Sequence, residues 1–452
     1  MLLPVGLSFN EHQEHTISVE SLDNMQPEYT FGGRQQVALV SCPGMSEFSA
    51  GNPVATEGRG MVVVGGVLWA VLGRYLYRIA SDGTATQFDR IDGSGIVGMS
   101  ENGELIHIAI GTKEYLFDVA AETISVPSKT AYGYTTAYHN GRFVTEDADA
   151  TSQGRIYYSD VSGGSWQDVD FATAEQKTDD AIAVFQHKGT LHVFGSGSVE
   201  FWGSDANGPV PIPGAFLNVG LAGKRAVAAA DEVVGFLASD GSFRIISGYS
   251  GQRVSTPAVE AALSADADAE CLAYIERGHT VFEVSTSSLT LCYDMTESQR
   301  IGRPVWFRKS TGGSRHAARG CVYCYGKLLV LSTNDGKVYE LTRDVKPDAR
   351  EFVMPHFSDD ARRAWSVLHE LELIQRTGTG AIADGASYVM MRISRDGGKT
   401  WGEERWANEG TVGAYNSRVR WRRMGRFRQI AAKFRKTDQT EWTVLGVYAH
   451  GS

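Results

Sequence analysis

The sequence predicts an all-β protein, organised as a β-propeller of about six or seven diverged blades with a C-terminal β region and few short helices. Its 452 residues include 51 glycines and only 12 prolines, and 10% are aromatic, which is typical of many short strands joined by tight turns. Turn signals recur at roughly the ~40–50-residue spacing of propeller blades. A pair of β-sandwiches would show similar turn statistics and is the alternative fold.

Two-residue turn signals divide the chain into short strands. Gly, Asn and Asp favour tight hairpin turns because they tolerate positive φ. The pairs are Gly65-Gly66, Asp82-Gly83, Asn102-Gly103, Asn140-Gly141, Lys188-Gly189, Asp240-Gly241, Asp335-Gly336 and Asp396-Gly397. Segments such as YLYRI, ELIHIAI, RIYYS and LHVFG flank them, rich in aromatic and β-branched residues. We therefore predict a succession of β-hairpins along most of the chain.

One turn near the C-terminus matches the Asp-box of β-propellers, S-x-D-x-G-x-T-W. It comprises Ser394, Asp396, Gly398, Thr400 and Trp401. The Asp carboxylate caps the backbone of the turn, Gly supplies positive φ, and Trp packs beneath the hairpin. The spacing therefore predicts a structural role for these five residues.

Composition divides the chain into three parts. Residues 1–33 are polar and form the predicted N-terminal arm, and residues 34–345 form the predicted propeller body. A linker is expected over Asp344–Pro355. Residues 350–452 then form a basic β region, which is either a separate sandwich or the closing blades.

One helix is expected within the propeller body. Thr256 suits its N-cap and Pro257 its first turn. Val259, Ala262 and Leu263 follow at helical spacing, so this short helix has one apolar face.

Charge is distributed unevenly along the chain. The net charge is −10, but residues 1–349 hold 26 basic and 41 acidic residues, whereas residues 350–452 hold 17 basic and 12 acidic residues. Because phosphate contacts need clustered Lys and Arg, the acidity of the whole chain argues against general coating of nucleic acid. The basic C-terminal region leaves a local contact open.

An arginine-rich segment dominates that region. Nine basic and no acidic residues lie among the nineteen positions from Arg418 to Lys436. The first six are Arg418, Arg420, Arg422, Arg423, Arg426 and Arg428. Alternation at the start of the run predicts a strand, and charge on an edge strand blocks aggregation. The number exceeds that need, so three explanations remain: a DNA-facing surface, contact with an acidic partner subunit, or ion pairing with the acidic propeller.

The five cysteines are an odd number and widely scattered, which fits a reducing compartment. Cys321 and Cys324 form an isolated CxxC pair, which we interpret as ordinary strand residues. The start of the chain has no basic segment before its short apolar run, so no signal peptide is expected. The apolar stretch Met61–Gly73 is too short to span a bilayer and predicts a buried hairpin.

The sequence singles out no catalytic, cofactor or metal site. His12 and His15 have HxxH spacing, but no further ligand set accompanies them, and an exposed polar arm is favoured. The Asp-box raises the alternative of a glycan-binding or sialidase-like propeller. Sialidases need an arginine cluster and a Tyr/Glu pair, and no spacing here indicates either. We therefore expect a non-enzyme without cofactor or metal.

Several segments, taken in order, resemble a known family. They are CPGM from Cys42, LYRI from Leu76, GSGIVGMSENGELIHIAIGTKEYLFD from Gly93, HVFGSGSVEFW from His192, NVGLAGK from Asn218, STPAVEAAL from Ser255, and ISRDGGKTWGEE followed by RVRWRRMGRFR. The set is similar to the packaged-DNA stabilisation, or tail-hub, proteins of short-tailed, tailspike-bearing bacteriophages. The resemblance begins near Val40 and does not extend to residues 1–35.

This resemblance implies a virion structural protein of the tail, assembled in the host cytoplasm. Such hubs form a ring, commonly hexameric, below the portal and its adaptor. They close the portal vertex after packaging, provide the conduit for DNA ejection and carry tailspikes or a needle. The implied partners are further copies of the chain, the adaptor, tailspike or needle proteins and, transiently, viral DNA, with no membrane insertion. A cellular propeller scaffold is a third hypothesis.

Overall fold

The computed structural model describes residues 2–3, 5–29, 36–129, 131–148, 154–174, 177, 179–358, 365–378 and 387–451. Within these ranges the chain forms short strands and two helices of seven residues each. Six strands precede the first blade: β1 (Leu2–Leu3), β2 (Asn10–Glu11), β3 (Val19–Asp23), β4 (Met25–Tyr29), β5 (Val37–Ser41) and β6 (Gly44–Ser49).

Five antiparallel four-stranded blades follow in chain order. The first three are β7 (Gly58–Val64), β8 (Val67–Leu72), β9 (Tyr75–Ile79) and β10 (Ala85–Arg90); β11 (Gly98–Glu101), β12 (Leu105–Ala109), β13 (Glu114–Asp118) and β14 (Thr123–Ser125); and β15 (Ala137–His139), β16 (Arg142–Glu146), β17 (Arg155–Ser159) and β18 (Trp166–Thr173). The next two are β19 (Ala181–His187), β20 (Thr190–Gly195), β21 (Val199–Ser204) and β22 (Pro209–Leu217); and β23 (Val227–Ala230), β24 (Val233–Leu237), β25 (Phe243–Ser247) and β26 (Ser250–Arg253).

Two further blades complete a ring of seven. The sixth is β27 (Glu270–Glu276), β28 (His279–Ser285), β29 (Thr290–Asp294) and β30 (Trp306–Thr311), with the short β31 (Ser314–Arg315) paired to β30. The seventh comprises β32 (Ala318–Cys324), β33 (Lys327–Ser332) and β34 (Val338–Thr342), and its outer strand is β6 from the N-terminal side of the propeller. Because β32 also contacts β7, the ring is closed by strands from both of its ends.

The predicted turns are confirmed. Each of the eight predicted turn pairs lies between two consecutive strands, and these two strands are hydrogen-bonded neighbours in one sheet. Asn140 and Lys188 have φ of 46° and 47°, and the glycines that follow them are also at positive φ. This is the backbone that a two-residue hairpin needs to match the twist of its strands.

Seven C-terminal strands build a second domain together with the N-terminal strands. They are β35 (Arg350–Val353), β36 (Ser366–Gln375), β37 (Tyr388–Ser394), β38 (Arg405–Asn408), β39 (Val419–Phe427), β40 (Ala431–Lys436) and β41 (Thr443–Gly451). One sheet has the order β39-β36-β41-β5-β4, with β1 on β41. The other runs from β30 of the sixth blade through β3-β35-β40-β37-β38, with β2 on β3.

The two sheets pack face to face around a shared aromatic core. Phe352 lies 5.6 Å from Trp442 and Phe434 lies 5.5 Å from Trp421, measured between ring centroids, and each pair spans the two sheets. The same cluster of buried side chains includes Tyr274 of the sixth blade. Propeller and sandwich therefore share one hydrophobic core.

The N-terminal segment differs from the polar, irregular arm that the sequence predicts. Strands β3, β4 and β5 pair within the sandwich sheets, and Leu22 and Met25 are fully buried there. The expectation failed because the segment's apolar residues are few and because β3 pairs with β35, more than 300 residues away in the chain. The predicted boundary at residues 33 and 34 lies outside the described residues.

The expected linker over Asp344–Pro355 also differs. Its second half forms β35, and Arg350 is fully buried there. The Arg350 guanidinium donates to the carbonyl oxygen of Thr440 at 2.6 Å and to that of Asp438. Buried hydrogen bonds replace solvent along this charged side chain, which a composition-based linker prediction does not anticipate.

The predicted helix is confirmed as α1 (Pro257–Leu263), whose first turn is capped by the Thr256 hydroxyl. A second helix, α2 (Met295–Ile301), was not predicted from the sequence. Asp294 caps α2 and Gly302 ends it in the left-handed conformation, so the start and stop signals were present. Neither of these helices is long and apolar enough to cross a membrane.

We expect Leu22→Ala to destabilise the protein substantially. The Leu22 side chain is 0% exposed in the shared core, and truncating a buried leucine costs about 2–5 kcal/mol. The thermal unfolding midpoint, followed by tryptophan fluorescence, should therefore fall. Ile17→Ala is the matched control, because Ile17 is 65% exposed. Equal midpoints for the two variants would contradict a core role for the N-terminal strands.

Candidate interaction surface

The Asp-box residues form a closed set of hydrogen bonds in the turn after β37. The Ser394 hydroxyl donates to Asp396 Oδ1 at 2.7 Å and accepts from the Gly398 amide at 2.8 Å. Asp396 also accepts from the amide and the hydroxyl of Thr400, at 3.0 and 2.5 Å. These bonds, those from Thr400 first, hold the pKa of the Asp396 carboxyl well below its usual range.

Trp401 completes the box on the side of the sandwich. It is half-buried and packs against a small cluster formed by Val19, Val353 and Ala431. The Lys433 ammonium lies 5.0 Å from the centroid of its ring. The box thus holds the β37–β38 hairpin against the N-terminal strand β3.

The location of the box is informative. It lies in the sandwich, whereas the seven blades are built from residues between Gly44 and Thr342. An Asp-box stabilises a hairpin turn through local hydrogen bonds, and those bonds do not depend on the domain around them. The motif therefore led to the correct fold class from a position outside the propeller.

The arginine-rich segment Arg418–Arg428, which we call the arginine strand, consists of β39 and one residue at each end. It lies at the edge of its sheet, next to β36. Val419, Trp421, Met424 and Phe427 point into the core, and the arginines lie on the other face or on the edge. The predicted strand period is present, with a shift at Arg423, whose φ is 59°.

Three of these arginines pair with carboxylates of the neighbouring strand. Arg418 binds Glu372 through two hydrogen bonds, and Arg422 Nε donates to Glu370 Oε2 at 2.8 Å. Arg420 Nη1 lies 3.9 Å from the same Glu370 oxygen. The ion pairs are internal to the sandwich. The third explanation expected ion pairing with the acidic propeller, but these arginines pair with β36 of their own sheet.

The two glutamates were missed at the sequence level although a signal existed. In β36 the segment HELEL places Glu370 and Glu372 at strand period, with Leu371 between them. A strand with alternating acids and a strand with alternating arginines are natural neighbours. Their separation of about fifty positions hides this relation in a local scan of the sequence.

The remaining arginines of the strand are turned outward. Arg426 and Arg428 lie over the exposed ring of Trp365, with guanidinium carbons 5.3 and 4.8 Å from its centroid. Arg423 is exposed at the bulge. Together these four side chains form the basic surface of the sandwich edge, which we call the Trp365 patch.

One group in the described part of the chain has metal-ligand geometry. Ligand atoms of Glu370, Glu372 and His450 lie within 4.8 Å of one another. Both carboxylates already accept hydrogen bonds from arginines, so their charge is compensated without an ion. Elsewhere, His12 and His15 contact different groups: His12 Nδ1 accepts from the Glu14 amide, and His15 Nδ1 lies 3.4 Å from the Gly398 oxygen.

The cysteines carry no bridge. Cys321 and Cys324 both lie in β32, as expected for strand residues, and all five cysteines are free thiols. Burial raises the pKa of the Cys42 thiol to about 12 and raises that of the Cys321 thiol as well, so neither lies in the range of a reactive thiolate.

We expect Trp401→Ala to lower the thermal unfolding midpoint moderately. Because the indole is half-buried, its loss should cost about 1–2 kcal/mol, less than the loss of a fully buried tryptophan. Trp406→Ala is the matched control, since Trp406 is 59% exposed on the neighbouring strand β38. A stable Trp401 variant that fails to function would instead mark Trp401 as a binding residue.

The Asp-box should also show a defined pH dependence. A carboxyl whose pKa is lower in the folded than in the unfolded chain stabilises the fold above its unfolded pKa, and this contribution is lost as the pH falls through the folded pKa. Asp396→Asn should therefore lower the unfolding midpoint by a constant amount from pH 5 to 8. The difference from wild type should shrink below about pH 4. A difference that persists unchanged at pH 2 would show that the ionised carboxylate is not the stabilising form.

Comparison with known proteins adds two kinds of likeness. Three solved structures are similar at low identity: BamB from Moraxella catarrhalis (12% identity, TM-score 0.39, 62% of this chain and 93% of that one), the computationally designed Ika8 protein (11%, 0.42, 75% and 99%) and the mitotic checkpoint complex (12%, 0.44, 70% and 96%). Curated protein sequences give no significant match.

Family models match nearly the whole chain. The model for the β-propeller of bacteriophage P22 Gp10, a phage-stabilisation family, matches residues 6–346. The model for the β-sandwich of the same protein matches residues 349–452. The matched parts correspond to the two kinds of architecture in the structure, although the sandwich also recruits the N-terminal strands. The chain therefore belongs to the bacteriophage P22 Gp10 family of phage structural proteins that stabilise packaged DNA.

Proposed function

We propose that this chain forms the hub of a short phage tail. Copies of it assemble into a ring, proposed to be a hexamer, below the portal and its adaptor. The ring closes the vertex, retains packaged DNA and conducts the DNA on ejection. The adaptor and tailspike or needle proteins are its proposed partners, and the virion tail is its proposed location. The observation that carries this proposal is the match of both family models across the chain.

The joined architecture supports a load-resisting role. Strand β3 pairs with β30 of the sixth blade on one side and with β35 of the sandwich on the other. The Arg343 guanidinium adds hydrogen bonds to Glu276 of the sixth blade and to the carbonyl oxygen of Ser41. A vertex closure must resist the pressure of confined DNA, and a continuous sheet with a shared core resists movement between domains.

The propeller axis is a poor candidate for the DNA path. The cavity at its centre has a volume of about 280 Å³, which is space for roughly ten water molecules. Duplex DNA is far too wide for it. We therefore place the conduit at the centre of the ring, between copies of the chain.

The arginines divide between two proposed roles. Arg418, Arg420 and Arg422 are compensated by Glu370 and Glu372, and we assign them to the stability of the sandwich edge. The Trp365 patch keeps its charge, and we assign it to a neighbouring subunit, whose propeller region is acidic overall. DNA contact is the alternative assignment for this patch. A sialidase-like function would require arginines free to bind a carboxylate substrate, and a sialylated chromogenic substrate tests it directly.

Complementation of a phage that lacks its own copy of this gene tests the function. Wild-type chain should restore completed tails and genome retention. Replacing Arg423, Arg426 and Arg428 by serine should impair ring assembly, with an unchanged unfolding midpoint for the isolated chain.

The matched variant replaces Arg418, Arg420 and Arg422 by serine. It should lower the thermal unfolding midpoint modestly, because Glu370 and Glu372 lose their partners while the arginine side of each pair is largely solvated. If the variant with serine in place of Arg423, Arg426 and Arg428 builds normal tails that release or retain DNA abnormally, the Trp365 patch lies in the DNA path. Full genome retention without the chain would overturn the hub assignment.

A further inference from the structure

The centre of the propeller contains a cavity of about 280 Å³ that no role described above uses. The first strand of each of the seven blades, or the residues just before that strand, contributes to its wall. Much of the wall is apolar, with Met61, Met99, Phe185 and Val227 among its side chains.

The charged groups of the wall are strongly unbalanced. Arg59, Lys224, Arg225 and Arg319 line the cavity together with a single carboxylate, that of Glu270. This excess of positive charge occurs in a chain whose net charge is −10, and in the acidic part of that chain. A low-dielectric cavity with excess positive charge favours an anionic occupant.

Two of the four cations are fully engaged by the protein. Arg59 donates to the carbonyl oxygens of four residues, among them Gly95 at 2.6 Å and Gly73 at 3.1 Å. Arg319 binds both oxygens of Glu270, at 2.9 and 2.8 Å, and also Glu57 at 2.9 Å. These two side chains therefore shape the wall and have little capacity for a ligand.

The other two cations are not in ion pairs. Among the described residues, no carboxylate oxygen lies within 4.0 Å of the side-chain nitrogens of Lys224 or Arg225. Arg225 Nη2 donates to the carbonyl oxygen of Tyr134, and the Lys224 ammonium lies over the Tyr134 ring. Burial lowers the pKa of Arg225 to about 10, so its guanidinium is still charged at neutral pH.

The groups behind the wall do not remove the imbalance. Arg315 adds a cation, bound to Glu270 at 2.8 Å, and Glu57 and Glu146 add two carboxylates. Glu146 is already satisfied by the amides of Tyr134 and Thr135, at 2.6 and 3.0 Å. Five cations then face three carboxylates, so positive charge remains in excess.

We propose that this cavity binds a small amphipathic anion that carries a carboxylate. Arg225 and Lys224 bind the carboxylate, and the apolar wall contacts the rest of the molecule. The volume suits a group of one or two side chains. The carboxylate comes either from a free organic acid or from an acidic or C-terminal residue of an inserted peptide. A nucleic-acid phosphate is disfavoured, because its bulky backbone cannot enter the ring of inner strands. This proposal does not depend on the tail-hub assignment.

The test uses 4-phenylbutyrate as the probe and its neutral amide as the matched ligand, in calorimetric titrations of the full chain. The acid should bind with one site per chain, and the amide should bind at least tenfold more weakly. Arg225→Gln should weaken binding of the acid at least tenfold, whereas the surface variant Arg422→Gln should change it less than twofold.

A second variant covers the case in which Arg225→Gln fails to fold. Lys224→Gln, judged folded by its unfolding midpoint, should weaken binding several-fold. Equal binding of acid and amide, no binding of the acid, or wild-type affinity in the folded variants would overturn the proposal, as would displacement of the acid by a DNA duplex. Competition by a peptide with a free C-terminal phenylalanine, but not by its amide, would identify a protein source. Lack of competition by both peptides, with the acid still bound, would identify a free organic acid.

Discussion

The side chain of Asn24 is the point on which the two domains depend. It lies 2% exposed at φ 56°, in the left-handed region that asparagine tolerates, between β3 and β4. Its amide nitrogen donates to the carbonyl oxygen of Ala349 at 2.7 Å and to Ser310 at 3.1 and 3.2 Å, and its oxygen accepts from the Ser310 amide at 3.0 Å. One side chain of the N-terminal segment thus satisfies polar groups of the sixth blade and of the start of the C-terminal region. A buried amide so fully bonded specifies one relative position of these three segments.

This arrangement explains why the chain leaves and re-enters the sandwich. Along the chain, the N-terminal strands of the sandwich come first and the propeller is inserted after them. The chain then returns to the sandwich with β35, which pairs with β3. Strand β6 closes the seventh blade before the first blade has begun, so the ring is held by the same segment that anchors the sandwich. Separation of the domains would therefore break sheet pairing and not only a surface contact.

Local signals in the sequence were sufficient for the hairpins, α1 and the fold class. Each of these features is determined by residues within a few positions, such as Asn140-Gly141 or Thr256-Pro257. The N-terminal strands and the partners of the arginine strand could not be predicted in this way. Their pairing joins segments far apart in the chain, for example Leu22 with Phe352 and Arg422 with Glu370. Alternating charges mark two strands as compatible neighbours, but in a single sequence they do not specify which of the distant strands pair. The Asp-box shows the converse, because the local motif was recognised correctly while its domain stayed open between a separate sandwich and the closing blades.

The charge of the C-terminal region takes on a different meaning once its partners are known. Lys436 is fully buried and pairs with Glu409, and the Arg350 guanidinium donates hydrogen bonds to backbone carbonyl oxygens. Together with the glutamates of β36, these contacts place much of the region's positive charge inside the sandwich or along its sheet. What remains at the surface is concentrated at the Trp365 patch, where stacking on an aromatic ring orients arginines while leaving their N–H groups free to donate. Net charge alone would assign the whole arginine strand to one partner. The geometry instead divides it into arginines paired with the glutamates of β36 and the outward arginines of the Trp365 patch.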